Sequence, residues 1–369
     1  MDLPAPTSLT DLRTDGALLQ ADIDTSWAAT MGRVQGVEYT GDVARFHTRG
    51  GSRDLPATEI ARVVDGGWVW TREPDLDIPE LHAPQPVSED LLRAARTVHG
   101  NVPVFLAPFP GGQRAVAVDF RPAPGPVRSV LTSGLAELPA GLDARRALLS
   151  FAAARGLGIR ESADILELSD GTSVTFRDGE ATSVSGGMRM GDVLADALYF
   201  SAEHQLLYAG RFPGQHVQLD PTAGRAVLDG QVQVAALVVA TITGDTWTWG
   251  WADPHLPPSP AANLRRFGID HGILELVRPR LPMRTDLIDV CKPILDIWTH
   301  AVVPLTAGTR GVVLLRGAEL ALPGPQAPTT QRAVEVTLQT PVPAGVDKQR
   351  ARAAYAQRRG VTLPEPPAQ

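Results

Sequence analysis

The sequence predicts an α+β fold made of a tandem, pseudo-duplicated domain. Each copy is a helix followed by an antiparallel β-meander, a second helix and a closing hairpin. Three observations carry this. Residues 37–70 and 216–249 align without a gap at a constant offset of 179, pairing Ala44 with Ala223, Gly51 with Gly230, Ala57 with Ala236, Ala61 with Ala240, Trp68 with Trp247 and Trp70 with Trp249. A repeat this long marks copies of a domain rather than a solenoid of short units. Strands and helices do not alternate one for one, as a parallel sheet with crossover helices requires. The 35 glycines and 32 prolines punctuate many short elements.

Copy one opens with a helix over Leu18–Arg33, where apolar residues fall near helical spacing. Val37–Tyr39, Val43–Thr48, Thr58–Val64 and Trp68–Thr71 read as short strands separated by Gly and Asp turns. After a proline-studded loop, Ser88 and two acidic residues mark a helix start and Gly100 its stop. Val102–Ala107 and Ala115–Phe120 form a hairpin around Gly111-Gly112. Copy two repeats this order: a helix over Asp192–Gly210, strands at Val217–Leu219, Arg225–Leu228, Val232–Thr243 and Thr246–Trp251, a helix over Asp286–His300, and a hairpin around Ala307-Gly308. It carries one extra segment, Ala261–Val277, read as a helix broken near Gly268 or Gly272.

Between the copies, Leu142–Gly156 reads as a helix, and Ile165–Leu168, Val174–Arg177 and Ala181–Val184 as a three-stranded meander. After the second copy come a linker, a strand at Ala333–Gln339 by alternation, and a basic helix over Lys348–Arg359. The expected domains are 1–135 (first copy), 136–188 (connecting helix and meander), 189–317 (second copy) and 318–369.

At 369 residues, 43% hydrophobic and 20% charged, the chain has ordinary globular composition. A net charge of −7, spread along the chain, argues against non-specific binding of nucleic acid or anionic membrane. The longest apolar run, around Val234–Ile242, is far short of a membrane span. Cys291 is the single cysteine, so neither an internal disulfide nor a cysteine-held zinc is expected. The N-terminal stretch lacks a basic n-region and an apolar h-region, and the expected compartment is the cytoplasm. No glycine-rich phosphate loop follows a strand, and G-x-S-x-G and H-E-x-x-H are absent, so no cofactor or metal is expected.

The sharpest motif is Trp247-Thr-Trp-Gly-Trp-Ala-Asp-Pro254, followed by Asn263–Gly272 with its His-Gly pair. It resembles a bacterial family of unknown function, common in high-GC genomes, with a W-x-W-[GA]-W-[AN]-[DN]-P core. The resemblance spans about residues 190–317, with about 16–121 as a diverged second instance that keeps Trp68 and Trp70 but has Arg72 in place of the third tryptophan. It implies the fold and no activity.

On a strand, Trp247, Trp249 and Trp251 would share one face. Retention of the first two in both copies marks them as core, and leaves Trp251 as the candidate pocket wall. Asp253 and His255 follow at the strand end, where Asp253 is a candidate base, against the simpler reading of a turn starter before proline. His271 and Glu275, four apart, suit acid–base work, against a plain surface pair. A cleft bounded by Trp251, Asp253, His255, Asn263, Arg266 and His271 is the expected ligand site, with Asp253, His271 and Glu275 as catalytic candidates. The leading expectation is a non-enzymatic binding protein for an unknown protein or small molecule, by analogy an immunity-like partner. The alternative is a small-molecule binder or hydrolase-type enzyme with its pocket in the second copy.

Overall fold

The computed structural model describes residues 3–257 and 261–363. The chain divides after Gly186 into two compact units. The first contains α1 (Leu9–Met31), β1 (Val34–Thr40), β2 (Val43–Thr48), β3 (Gly51–Val64), β4 (Gly67–Trp70), α2 (Pro79–His82), β5 (Gln85–Pro86), α3 (Glu89–Val98), β6 (Val104–Phe109), β7 (Gly112–Val118), α4 (Val127–Ala136), α5 (Ala144–Ala154) and strands β8 (Ile159–Ser162), β9 (Ile165–Leu168), β10 (Ser173–Arg177) and β11 (Glu180–Val184). The second contains α6 (Met190–Arg211), β12 (Val217–Asp220), β13 (Arg225–Leu228), β14 (Val232–Thr243), β15 (Thr246–Trp249), α7 (Ala262–His271), α8 (Leu274–Val277), β16 (Arg280–Pro282), α9 (Asp286–Leu295), β17 (Thr299–Thr306), β18 (Thr309–Arg316), α10 (Thr330–Thr337) and α11 (Lys348–Arg359).

The fold is α+β with two similar halves, as the sequence predicts. Each half holds a seven-stranded antiparallel sheet of the same order: β1-β2-β3-β4-β5 with β7 and β6 joined through β3, and β12-β13-β14-β15-β16 with β18 and β17 joined through β14. The likeness extends to irregularities. The β3–β7 ladder slips between Glu59 and Ala61, and the β14–β18 ladder slips between Val238 and Ala240, the same positions at the offset of 179. Trp68 and Trp70 meet edge to face at 5.1 Å and 77°, and Trp247 and Trp249 at 5.1 Å and 79°.

The halves also share a closing helix pair that the sequence reading leaves unpaired. Helices α4 and α5 pack on α1, and α10 and α11 pack on α6. Once superposed by fold, Pro139-Ala140-Gly141, Asp143, Arg146, Ala147, Ala152, Arg155 and Gly156 recur without a gap as Pro343-Ala344-Gly345, Asp347, Arg350, Ala351, Ala356, Arg359 and Gly360. Asp143 and Asp347 both cap their helices by accepting two backbone N–H bonds. Arg146 grips Asp15 bidentately at 2.7 Å, and Arg350 grips Asp196 bidentately at 2.8 Å. Arg155 closes on Asp22 at 2.6 Å, and Arg359 on Glu203 at 3.0 Å. The bidentate contacts of Arg146 and Arg350 fix direction as well as distance, and so constrain the angle at which the last helix docks in each half.

Several expectations need correction. Ala333–Gln339 is not a strand: Ala333–Thr337 lies in α10, and Leu338 and Gln339 form the turn that ends it. Its buried residues, Thr330, Val334 and Thr337, recur at helical spacing, and two are threonines that an apolar count passes over. The first helix starts at Leu9, because the Ser8 hydroxyl accepts from the Asp11 amide. Helix α9 stops at Leu295, where Asp296 takes a left-handed conformation, rather than running to His300. The meander between the copies has four strands, β8 being the addition.

Candidate functional site

Strand β15 ends at Trp249, which corrects the reading of three tryptophans alternating on one strand. After it the chain packs so tightly on β14 that a Cβ on Gly250 would lie 2.8 Å from the Val238 carbonyl oxygen. The Gly250 amide bonds the Val239 carbonyl, and the Ala252 and Asp253 amides turn back to the Trp249 carbonyl. Trp247 and Trp249 are fully buried in the core with Leu264, Leu276 and Leu287, and the Trp249 indole donates to the Glu275 carbonyl at 2.8 Å. Trp251 is half-buried beyond the strand, with the Arg265 guanidinium 5.3 Å from its ring centre.

Asp253 accepts from the Thr241 hydroxyl at 2.9 Å and the His255 amide at 3.0 Å, and the His255 ring Nδ1 lies 3.1 Å away. Burial works to raise this carboxyl, but the bonds from His255 and Thr241 outweigh it and hold the group below the usual carboxylate range. A carboxylate so satisfied stabilises the turn and makes a poor proton acceptor near neutral pH. His255 itself is 91% exposed. His271 ends α7 before left-handed Gly272, and its Nδ1 accepts from the Met188 amide at 3.2 Å while its ring packs on Phe267. Glu275, on the next short helix, serves through its backbone carbonyl. His271 and Glu275 thus stand on separate helices, α7 and α8. Asn263 and Arg266 are exposed on α7. The candidates do not converge on one cleft.

The residues that do converge surround a cavity on β14 and β18. A cavity of about 560 Å³ is floored by Ala235, Ala236, Leu237 and Val238 of β14 and Leu314 of β18. It is walled by Ile294, Leu295 and Ile297 at the end of α9, the Pro221–Gly224 turn, Leu256 and Pro257. Thr222, Asn263 and Arg316 supply its polar groups, so Asn263 alone among the anticipated residues lines it. The β14–β18 ladder places Arg316 opposite Ala235 and Leu314 opposite Leu237. The size suits a small ligand. Sequence reasoning missed it because the lining comes from six separate segments of small aliphatic residues with no motif.

Elsewhere in this unit, Ser201, Asp289 and Lys292 form a network: the Ser201 hydroxyl donates to Asp289 at 2.8 Å, and the Lys292 ammonium contacts Ser201 and Asp289. Lys292 and Ser201 are buried, so this serine is sealed from any substrate. Cys291 is buried too, and burial pushes its thiol pKa up, making it inert. The basic helix α11 is not a free charged patch: Arg350 and Arg359 are paired, and Arg358 lies over Trp298 at 4.8 Å. Glu203 of α6 is 2% exposed, packed against Arg359 and Tyr355. Among the described residues, no three His, Cys, Asp or Glu side chains are grouped to hold a metal, and no helix is long and apolar enough to cross a membrane.

Residues 191–318 match a family of unknown function (DUF6882). No curated protein and no solved structure matches the chain.

Proposed function

We propose that the chain is a non-enzymatic binding protein whose ligand is a small apolar molecule seated in the trough on β14 and β18. The trough itself is the observation that carries this reading. It is about 560 Å³ and aliphatic on its floor and walls, and among the described residues it is polar at Thr222, Asn263 and Arg316. Among the described residues its lining offers no carboxylate, histidine or cysteine for acid–base or nucleophilic chemistry, while Asp253 and His271 are engaged in holding turns. That combination favours retention of a ligand over its conversion. We further propose that the first half is a diverged copy of the domain that matches the family model, supported by the shared bulge, the paired tryptophans and the recurring Pro-Ala-Gly-x-Asp helix start. The single buried cysteine is compatible with a reducing cytoplasm, which we propose as the compartment.

The test is native mass spectrometry of the full chain purified from its host, followed by solvent extraction. A small molecule should accompany the wild-type chain and be lost in Ala235→Trp, which fills the trough from an exposed position. Retention of the same molecule by that variant would move the site elsewhere.

A further inference from the structure

Resting on that reading of the trough, we propose that its ligand is an aliphatic monocarboxylate, with the acid at Arg316 and the hydrocarbon chain along β14 towards Leu237. Among the described residues the lining contains no aromatic ring. Planar ligands are usually held between ring faces, so a wholly aliphatic trough suits a flexible chain. Among the described residues Arg316 is the one charged residue of the lining, and its ion-pair partner Asp296, at 4.0 Å, lies outside the lining.

The guanidinium is positioned and under-used. Its Nη2 donates to the Leu295 carbonyl at 3.5 Å and to the Asp296 carbonyl, at the end of α9. Those bonds orient the fork. Among the described residues, Nε and Nη1 have no bonded protein partner. The Asp296 carboxylate stands 4.0 Å from Nη2, and its other oxygen is taken by the Trp298 indole at 2.9 Å. A planar fork with free N–H groups beside an aliphatic surface matches a carboxylate on a hydrocarbon chain. The ladder then sets the polarity, with charge at Arg316 opposite Ala235 and apolar surface from Leu314 and Leu237 onward.

The first half supplies an internal contrast. A smaller cavity of about 420 Å³ occupies the equivalent place, but Pro56, Thr58, Ala117 and Asp119 stand where Ala235, Leu237, Leu314 and Arg316 stand in the second. Charge is reversed and the apolar floor is reduced. That cavity also holds an arginine, Arg121, but its Nε donates to Asp119 at 2.8 Å within the lining itself.

The experiment is isothermal titration of the full chain with octanoate, decanoate and dodecanoate below their micellar concentrations, with decanol and a leucine-rich tripeptide bearing a free C-terminus. Each added methylene should tighten binding about two- to fourfold. Arg316→Gln should weaken decanoate by about tenfold or more and leave decanol unchanged. Ala235→Trp should abolish both. Equal binding of decanoate and decanol, unaffected by Arg316→Gln but lost in Ala235→Trp, overturns the carboxylate and keeps the trough. Binding of the tripeptide without decanoate overturns the aliphatic chain. No binding of any probe overturns the proposal together with the reading it rests on.

Discussion

Arg359 places its Nε 3.0 Å from both carboxylate oxygens of Glu203, and both side chains are almost fully withdrawn from water. The Tyr355 hydroxyl adds a third bond to the same carboxylate at 2.9 Å. This cluster ties α11 to α6. Removing Arg359 leaves an uncompensated buried carboxylate on Glu203, which costs about 3–5 kcal/mol. Arg359→Met should therefore unfold at markedly lower urea concentration. Arg155→Met, in the first half, removes the partner of Asp22, where the side chains are 14% and 12% exposed, and should cost less. Equal losses would mean that burial does not govern these pairs.

Trp247 and Trp249 are completely buried, so replacing either by alanine opens a large cavity and should cost about 3–5 kcal/mol. Trp249→Phe should cost less, on the order of 1–2 kcal/mol, by leaving the Glu275 carbonyl without its donor. Trp251 lies outside the strand and only half-buried, and its alanine variant should sit well below both. Thermal melts of the four variants give the ranking. A Trp251 variant as damaged as Trp247→Ala would contradict the placement beyond β15.

The meander was legible because its repeat is ungapped and its turns are marked by Gly and Asp. Trp68/Trp247 and Trp70/Trp249 hold the same ladder positions, opposite Val63/Ile242 and Ala61/Ala240. The second repeat, at 139–156 and 343–360, has at least as much identity but was hidden by its offset. Insertions between β15 and the hairpin, then between the hairpin and the last helix, move the spacing from 179 to 204. Reading Ala333–Gln339 as a strand concealed the counterpart of α4. Sites fared differently. Asp253 and His271 drew notice as reactive types, yet their bonds to Thr241, His255 and Met188 hold the backbone in place. The trough arises only when β14 pairs with β18 and α9 ends beside them, a convergence that no local pattern encodes.

Acid should weaken the second half. His204 and His300 are each pushed down to about 4, first by burial and then by the nearby Lys292 charge, with Arg359 adding to the effect on His204; Asp289 opposes it at His300, and Asp296 and a backbone bond at His204. In the unfolded chain both return to about 6.5. Between pH 6.5 and 4 the unfolded state therefore binds more protons, and stability falls as pH falls. The loss reaches up to about 3 kcal/mol per histidine by pH 4. Urea midpoints at pH 7, 6, 5 and 4 should decline, and His204→Phe, which fits the cluster with Phe200 and Trp298, should flatten part of the slope. A constant midpoint from pH 7 to 5 would rule this out.

Lys292 and Asp289 allow a sharper test, because the first half shows the apolar alternative. At the equivalent positions of α3 stand Ala95 and Leu92, with Gln20 in the place of Ser201. Lys292 is completely buried, whereas the Asp289 side chain is 39% exposed. Burial drives the Lys292 pKa down and the Asp289 charge opposes that shift. The two single removals should then be unequal. Asp289→Leu strands an ammonium group in the core and should cost about 3–5 kcal/mol. Lys292→Met leaves a carboxylate that still reaches water and the Ser201 hydroxyl, and should cost less, about 1–2 kcal/mol. The double variant removes both charges and approaches the apolar packing of α3, so it should recover most of the loss, as replaced buried ion pairs commonly do. Urea unfolding of the wild type, both single variants and the double variant completes the cycle. A double variant no more stable than Asp289→Leu would show that the pair holds α9 against α6 by bonding that apolar contact does not replace.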